Sequence, residues 1–297
     1  MRSAYLDIGS NSIRYLAAET GRDGTFRILD RGLETPRLGA GAGKDGLEAA
    51  ARERALAALA KIVGRLRSLG VDRFRAVGTE ALRRAPNRSS FLRGAAELGL
   101  AVEVISGARE ATLVRRGVLA GNPDLSPRAL LVDIGGGSTE FIRGTGVLSL
   151  PLGCVALLET GGPAAAGARR RSREMLQVLP EEFTRDPVRL IGLGGTFTTL
   201  AAVKLGLEPY RGEAVDGLVL EKSWIEDFLA RIAPLTPPER AAIAGLPADR
   251  ADIIAAGSAI ALEVLEKGGY AEATISDRGI LFGLLDEDRT GSDPGHA

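Results

Sequence analysis

Three glycine-rich turns each follow an apolar run in this chain: Gly9-Ser10-Asn11-Ser12, Gly135-Gly136-Gly137-Ser138-Thr139 and Gly192-Leu193-Gly194-Gly195-Thr196. Residues without Cβ atoms let consecutive backbone N–H groups converge on one anion, and a helix starting there adds its positive end, so each turn suits a phosphate. Two of them follow an aspartate at the same offset, in Asp7-Ile8-Gly9 and Asp133-Ile134-Gly135. A carboxylate at that point can hold Mg²⁺ against phosphate oxygens. An aspartate capping its own turn would explain one such segment, and its recurrence 126 residues later favours a shared role. Glu140 closes the second turn at the start of a strand, an uncommon place for an acid unless it faces a cleft.

Other residues narrow the chemistry. Thr79 to Asn87 carries Arg83 and Arg84, whose forked guanidinium groups match phosphate oxygens. Ser106-Gly107-Ala108-Arg109-Glu110 reads as a helix start with Ser106 as N-cap; Arg109 stands where a capping-box glutamate belongs, which leaves Glu110 untied by the cap. The one histidine, His296, lies in a polar tail and the one cysteine is Cys154, so Ser-His-Asp and Cys-His chemistry, Cys/His zinc sites and an internal disulfide are excluded within one chain. A general base must be a carboxylate or a lysine. The segment Gly39-Ala40-Gly41-Ala42-Gly43-Lys44 imitates a P-loop but has Leu38 and Asp45 where the motif needs Gly and Ser or Thr, and Gly192-Leu193-Gly194 reaches Phe197 where a dinucleotide fingerprint needs Gly. The run Arg169, Arg170, Arg171, Arg173 reads as a solvated helix start, and Cys154 and Trp224 as packing residues.

The elements that must position these groups alternate. Strands are expected over 5–8, 13–19, 75–77, 102–105, 129–132, 141–143, 148–152, 189–191 and 273–276, with helices over 47–69, 89–98, 110–119, 173–183, 198–205, 224–232, 238–244, 251–265 and 279–285. That order implies mostly parallel sheets covered by helices. The repeated Asp-Ile-Gly hairpin implies an internal duplication, and the turn-rich Gly121 to Pro127 places the boundary between domains 1–122 and 123–297, with a frayed tail over about 286–297. A chain of 297 residues suits two domains, whose cleft is a natural ligand site. Equal numbers of basic and acidic residues, 38 each, argue against a nucleic-acid surface. No apolar run approaches the length of a membrane span or a signal peptide, so no membrane and a cytoplasmic location are expected.

Taken in order, Asp7 to Ser12, Gly78 to Asn87, Ile105 to Gly117, Val132 to Glu140, Pro151 to Glu159, Gly192 to Ala201, Arg250 to Gly257 and Ser276-Asp277-Arg278-Gly279 resemble the exopolyphosphatase/guanosine pentaphosphate phosphatase (Ppx/GppA) family. The resemblance implies an α/β fold of two ribonuclease-H-like domains of the actin/sugar-kinase/Hsp70 superfold around an interdomain cleft. It implies Mg²⁺-dependent release of terminal phosphate, with Mn²⁺ as a substitute, from inorganic polyphosphate or guanosine pentaphosphate by a homodimer. Carried onto this chain, the catalytic acids fall on Glu110 and Glu140, and the metal ligands on Asp133 and Asp7. The phosphate contacts fall on Gly9, Ser10, Asn11, Arg83, Gly135, Gly136, Gly137, Ser138, Gly194, Gly195 and Thr196. Three positions depart from the pattern: Arg109 replaces the first acid of a Glu-Glu pair, and Ala156 and Phe282 stand where arginine is frequent. The chain also stops before the helical extension of long members, which implies a preference for short polyphosphates. A guanosine pentaphosphate hydrolase, a sugar- or acetate-type kinase on the same superfold and a catalytically weakened phosphate-ligand sensor stay open as alternatives.

Overall fold

The first apolar run forms β1 (Arg2–Ile8), which the glycine turn folds back antiparallel as β2 (Ile13–Thr20), Ile8 opposite Ile13. The structure is a computed structural model that describes residues 1–21, 23–122, 125, 128–161, 165–184 and 189–291. β3 (Phe26–Glu34) extends the meander, followed by α1 (Ala49–Ser68), β4 (Arg73–Gly78), α2 (Glu80–Arg84), α3 (Arg88–Glu97), β5 (Val102–Val104) and α4 (Gly107–Gly121). Strand order is β3-β2-β1-β4-β5, with β1, β4 and β5 parallel. Helix α1 buries Ala55, Leu59, Ile62, Val63 and Leu66, at helical spacing, among the apolar side chains of β1 and β2.

A second sheet starts with β6 (Leu130–Ile134), β7 (Thr139–Arg143) and β8 (Gly146–Leu150). There follow α5 (Cys154–Gly161), α6 (Ala165–Met175), β9 (Leu190–Leu193), α7 (Gly194–Leu205), α8 (Gly212–Val215) and β10 (Val219–Glu221). α9 (Lys222–Ile232), α10 (Pro237–Ala241), α11 (Ile254–Gly268) and β11 (Glu272–Ile275) complete this part. Its order, β10-β11-β9-β6-β7-β8, contains β8-β7-β6-β9-β11, which repeats β3-β2-β1-β4-β5 with the same parallel or antiparallel sense at every pairing. The duplication read from Asp-Ile-Gly therefore extends to the whole sheet. α11 is apolar almost all round, and Ile254 to Leu265 are buried.

The chain divides into two compact units, Met1–Asn122 with the segment from Arg278 onward, and Pro123–Asp277. The sequence-based division at 122/123 had assigned residues 278–297 to the second domain and a frayed tail to 286–297. Instead α12 (Ile280–Thr290) packs on α4 of the first unit, and residues 286–290 are its last turns. Backbone proximity explains this: a Cβ at Gly117 would overlap the Gly279 carbonyl oxygen, and one at Gly283 the Leu113 carbonyl oxygen. Residues 292–297, including His296, lie outside the described residues. The helix expected over 173–183 ends at Met175, and two 3₁₀ turns, Leu176–Val178 and Glu181–Phe183, flank Pro180, whose ring cannot sit inside a helix. No helix among the described residues is long and apolar enough to cross a membrane.

Candidate functional site

In the first unit the site residues gather at the carboxyl ends of β1, β4 and β5, where ligands of parallel α/β sheets bind. The Gly9 N–H donates to the Ser12 carbonyl (3.0 Å), so it closes the hairpin instead of facing an anion. The following peptides behave differently. The Ser10 carbonyl accepts from the Gly39 N–H (2.7 Å) and the Asn11 carbonyl from the Arg37 N–H (2.9 Å). Because C=O and N–H of a trans peptide point in opposite directions, these bonds aim the N–H groups of Asn11 and Ser12 away from the 37–39 strap. The segment that imitates a P-loop thus serves to orient the real turn. Gly39 is needed there, since a Cβ would come within 3.0 Å of the Ser10 Cβ.

Arg83 and Glu110 reach each other from two elements that start at the same sheet end. β4 leads into α2, whose Arg83 Nη1 donates to the Ile105 carbonyl (3.0 Å) and to Glu110 Oε2 (3.0 Å). Ser106 caps α4 as expected, its Oγ accepting from the Arg109 N–H (3.2 Å). Glu110, in the first turn, projects toward Arg83, while Arg109, one residue earlier, turns to α12 and forms a bidentate pair with Glu287 (Nη1–Oε1 2.6 Å, Nη2–Oε2 2.8 Å). Neighbouring helix positions lie about 100° apart, so the two side chains serve different partners.

The second unit repeats the turn with different supports. Gly135 N–H donates to the Ser138 carbonyl (2.9 Å), matching Gly9 and Ser12. Here the start of α5 replaces the strap: Cys154 N–H donates to the Gly135 carbonyl (3.0 Å), and Val155 (2.9 Å) and Ala156 (3.1 Å) donate to that of Gly136. The Gly136 and Gly137 N–H groups are thereby aimed away from α5. Gly153 permits the approach, since a Cβ there would overlap the Gly136 carbonyl oxygen. The third turn is the opening of α7: Gly194, Gly195 and Thr196 are its first residues, so the helix starts before the expected position 198. Asp133 rests against Gly194, and a Cβ on that glycine would overlap Asp133 Oδ1.

The two aspartates have unlike neighbours. Asp133 lies directly across the β6–β7 ladder from Glu140, and Asp7 across β1–β2 from Arg14. Directly opposed residues share a face, and opposed like charges repel. Glu140, buried, has Oε1 accepting from Ser149 Oγ (2.8 Å). Among the described residues no three His, Cys, Asp or Glu side chains form an all-protein metal cage. Mg²⁺ bound with a phosphate needs only one or two carboxylates and keeps its waters, and the Asp133/Glu140 pair fits that demand. In the first unit the Oδ1 of Asn11, a residue 7% exposed, has no hydrogen-bond partner among the described residues, a buried acceptor that a hydrated cation would satisfy.

Sequence reasoning left Arg250 out of the site. It is buried with its guanidinium against Gly195, where a Cβ would overlap it. Burial pushes the Cys154 thiol up, against the opposing pull of the Arg250 charge and a hydrogen bond with Thr196, so these three side chains lie close together. An arginine heading an otherwise apolar helix was the available signal. Of the three departures, Arg109 is engaged by Glu287, Ala156 contributes its N–H to the turn, and Phe282 is buried with Arg278 over its ring (5.0 Å to the centroid).

The sequence model of the Ppx/GppA phosphatase family matches residues 18–290 of the chain. Exopolyphosphatase 2 of Mycobacterium tuberculosis is 33% identical over 314 aligned positions, which cover 95% of this chain and 97% of that protein. Among solved structures, a Ppx/GppA family member from Aquifex aeolicus aligns with a TM-score of 0.78 at 32% identity, covering 99% of both chains. An exopolyphosphatase from Cytophaga hutchinsonii aligns with a TM-score of 0.88 at 28% identity, again over 99% of each.

Proposed function

The chain belongs to the Ppx/GppA phosphatase family, two actin-like α/β units in sequence, and from that premise we propose that it is an exopolyphosphatase that releases terminal orthophosphate from inorganic polyphosphate. The observation that carries the reading is the Arg83–Glu110 pair at 3.0 Å, standing at the sheet end that also bears the oriented N–H groups of Asn11 and Ser12.

Glu110 orients a water for in-line attack on the terminal phosphorus and accepts its proton; the new P–O bond forms as the bond to the bridging oxygen breaks, and the shortened chain leaves with that oxygen and its electron pair. Arg83 keeps the Glu110 carboxylate in one rotamer and offers its remaining donors to phosphate oxygens. In the second unit, the N–H groups of Gly136 and Gly137 and the opening of α7 are suited to phosphate oxygens. Asp133 and Glu140 would hold Mg²⁺, which would neutralise phosphate charge. Guanosine pentaphosphate offers the same terminal phosphoanhydride, so the two substrates are to be assayed side by side.

The test is phosphate release from triphosphate at millimolar Mg²⁺ with no acceptor alcohol present, which a kinase would not give. Glu110→Gln should lower kcat by about 10² to 10⁴-fold, the range for loss of a positioned base. Wild-type turnover in that variant would refute the assignment.

A further inference from the structure

Glu110 sits on the first turn of α4, and its position depends on how that turn is rotated. Ser106 caps the turn twice, its Oγ accepting from the Arg109 N–H (3.2 Å) and its carbonyl from the Glu110 N–H (2.9 Å). A further restraint comes from α12. The Arg109 fork grips both oxygens of Glu287, whose side chain is 1% exposed. Glu287 cannot drift, because Arg75 Nη2 also reaches its Oε2 (3.3 Å) and Arg75 Nη1 holds the adjacent Asp288 (2.7 Å), which in turn accepts from Tyr5 OH (3.0 Å). Two turns further along α4, Arg116 Nε holds Asp286 (2.7 Å). Sliding of α4 along α12 is blocked by the backbone contacts of Gly117 with Gly279 and of Gly283 with Leu113. At the end that bears Glu110, the Arg109–Glu287 fork is the side-chain tie that runs from the first turn of α4 to α12 and opposes rotation about the α4 axis.

From this geometry we infer that Arg109 and Glu287 are positioning residues for Glu110: the closing helix fixes the rotation of the α4 first turn and so keeps the proposed base against Arg83. The inference rests on the assignment of Glu110 as base. Arg109 touches no reacting atom, and its effect should pass entirely through its neighbour. A displacement of about 1 Å in a positioned group costs on the order of 10²-fold in rate, so a partial loss of restraint should cost about tenfold in kcat.

The experiment is a double-mutant cycle on the full chain, with kcat and KM for triphosphate and the thermal midpoint measured for Arg109→Met, Arg109→Lys, Glu110→Gln and the Arg109→Met/Glu110→Gln pair. Arg109→Met should lower kcat about tenfold with KM within twofold, and Arg109→Lys, which keeps the charge and loses the fork, should lie between it and wild type. In the Glu110→Gln background Arg109→Met should cost nothing further, because there is no base left to position. Should Arg109→Met not fold, Arg109→Lys with and without Glu110→Gln carries the same comparison. Losses that multiply in the double variant would overturn the inference and leave the base assignment standing, as would Arg109 variants that lower the thermal midpoint with kcat unchanged. A Glu110→Gln enzyme with wild-type kcat would remove the base assignment, and the inference with it.

Discussion

Gly194 is the position where backbone conformation and site chemistry meet in one atom. Its φ of +76° lies in the left-handed region, and a Cβ there would overlap Asp133 Oδ1 and come within 3.1 Å of the Ile134 carbonyl oxygen. Gly194→Ala therefore incurs two costs. The left-handed conformation costs a side-chain-bearing residue about 1–2 kcal/mol, and overpacking against fixed neighbours about 1–3 kcal/mol more. Gly206, at the other end of the same helix with φ +61° and no atom within 4 Å of its notional Cβ, supplies the control: Gly206→Ala meets the conformational cost alone. Chemical denaturation should place Gly194→Ala below Gly206→Ala by about 1–3 kcal/mol, the contact contribution. The carboxylate can escape the overlap only by rotating away, so phosphate release from triphosphate should lose at least about tenfold in kcat/KM, equivalent to about 1.4 kcal/mol, and require more Mg²⁺ for half-saturation. Gly206→Ala should keep wild-type kcat/KM. Equal stability of the two variants together with wild-type turnover and Mg²⁺ dependence in Gly194→Ala would refute both the contact and the role of Asp133.

Four further outcomes follow from the same geometry. Gly117→Ala should destabilise the first unit by about 2–4 kcal/mol in chemical denaturation, because the new methyl meets the backbone of α12, which has no rotamer to yield. The Cys154 thiol is raised first by burial, so the folded state keeps its proton where the unfolded chain loses it above about pH 8.5; stability should fall as the pH rises above that value, a slope that Cys154→Ala should flatten. Tyr5, raised by burial and then by the Asp288 carboxylate, should add a second decline above about pH 10, absent in Tyr5→Phe. Asp133→Asn should raise the Mg²⁺ requirement for triphosphate hydrolysis by at least about tenfold and Asp7→Asn by less, since only Asp133 is opposed by a second carboxylate; an equal or larger effect at Asp7 would reverse that ranking.

Features that depend on local chemistry were legible in the sequence. The hairpins at Gly9 and Gly135 were, because a tight turn between apolar strands needs small residues, and the Asp-Ile-Gly repeat carried the duplication with it. So was the Ser106 cap, a one-residue hydroxyl signal. Features that depend on a distant partner were not. β3 was missed because it is an edge strand whose Arg27, Asp30 and Arg31 interrupt the alternation, and a bulge at Ala17/Ala18 shifts its register. Helix α5 was missed because its opening N–H groups are satisfied by Gly135 and Gly136, some twenty residues earlier, and no local cap announces it. The glycine turns at 135–138 and 194–196 read from sequence as phosphate cradles, but which peptides turn their N–H groups outward is set by what holds the carbonyls.

Arg109 shows how far a single departure can be understood from sequence alone. As a missing acid beside Glu110 it reads as a loss, and a weakened sensor becomes a natural alternative. In the fold the same side chain faces Glu287, 178 residues later, on a helix that the sequence had assigned to the other domain. The spacing that could have signalled the contact was present: Gly117 and Gly121 on one helix, and Gly279 and Gly283 beside and within the other, each pair four residues apart, the interval at which small residues let two helix backbones meet. A buried Glu287 without a cation would be strongly destabilising, whereas Arg75 and Arg109 together satisfy it. The arginine at position 109 and the acid at 287 are therefore best understood as one unit, and an Arg109→Glu change toward the family pattern would place two carboxylates against each other in the interior without restoring anything to Glu110.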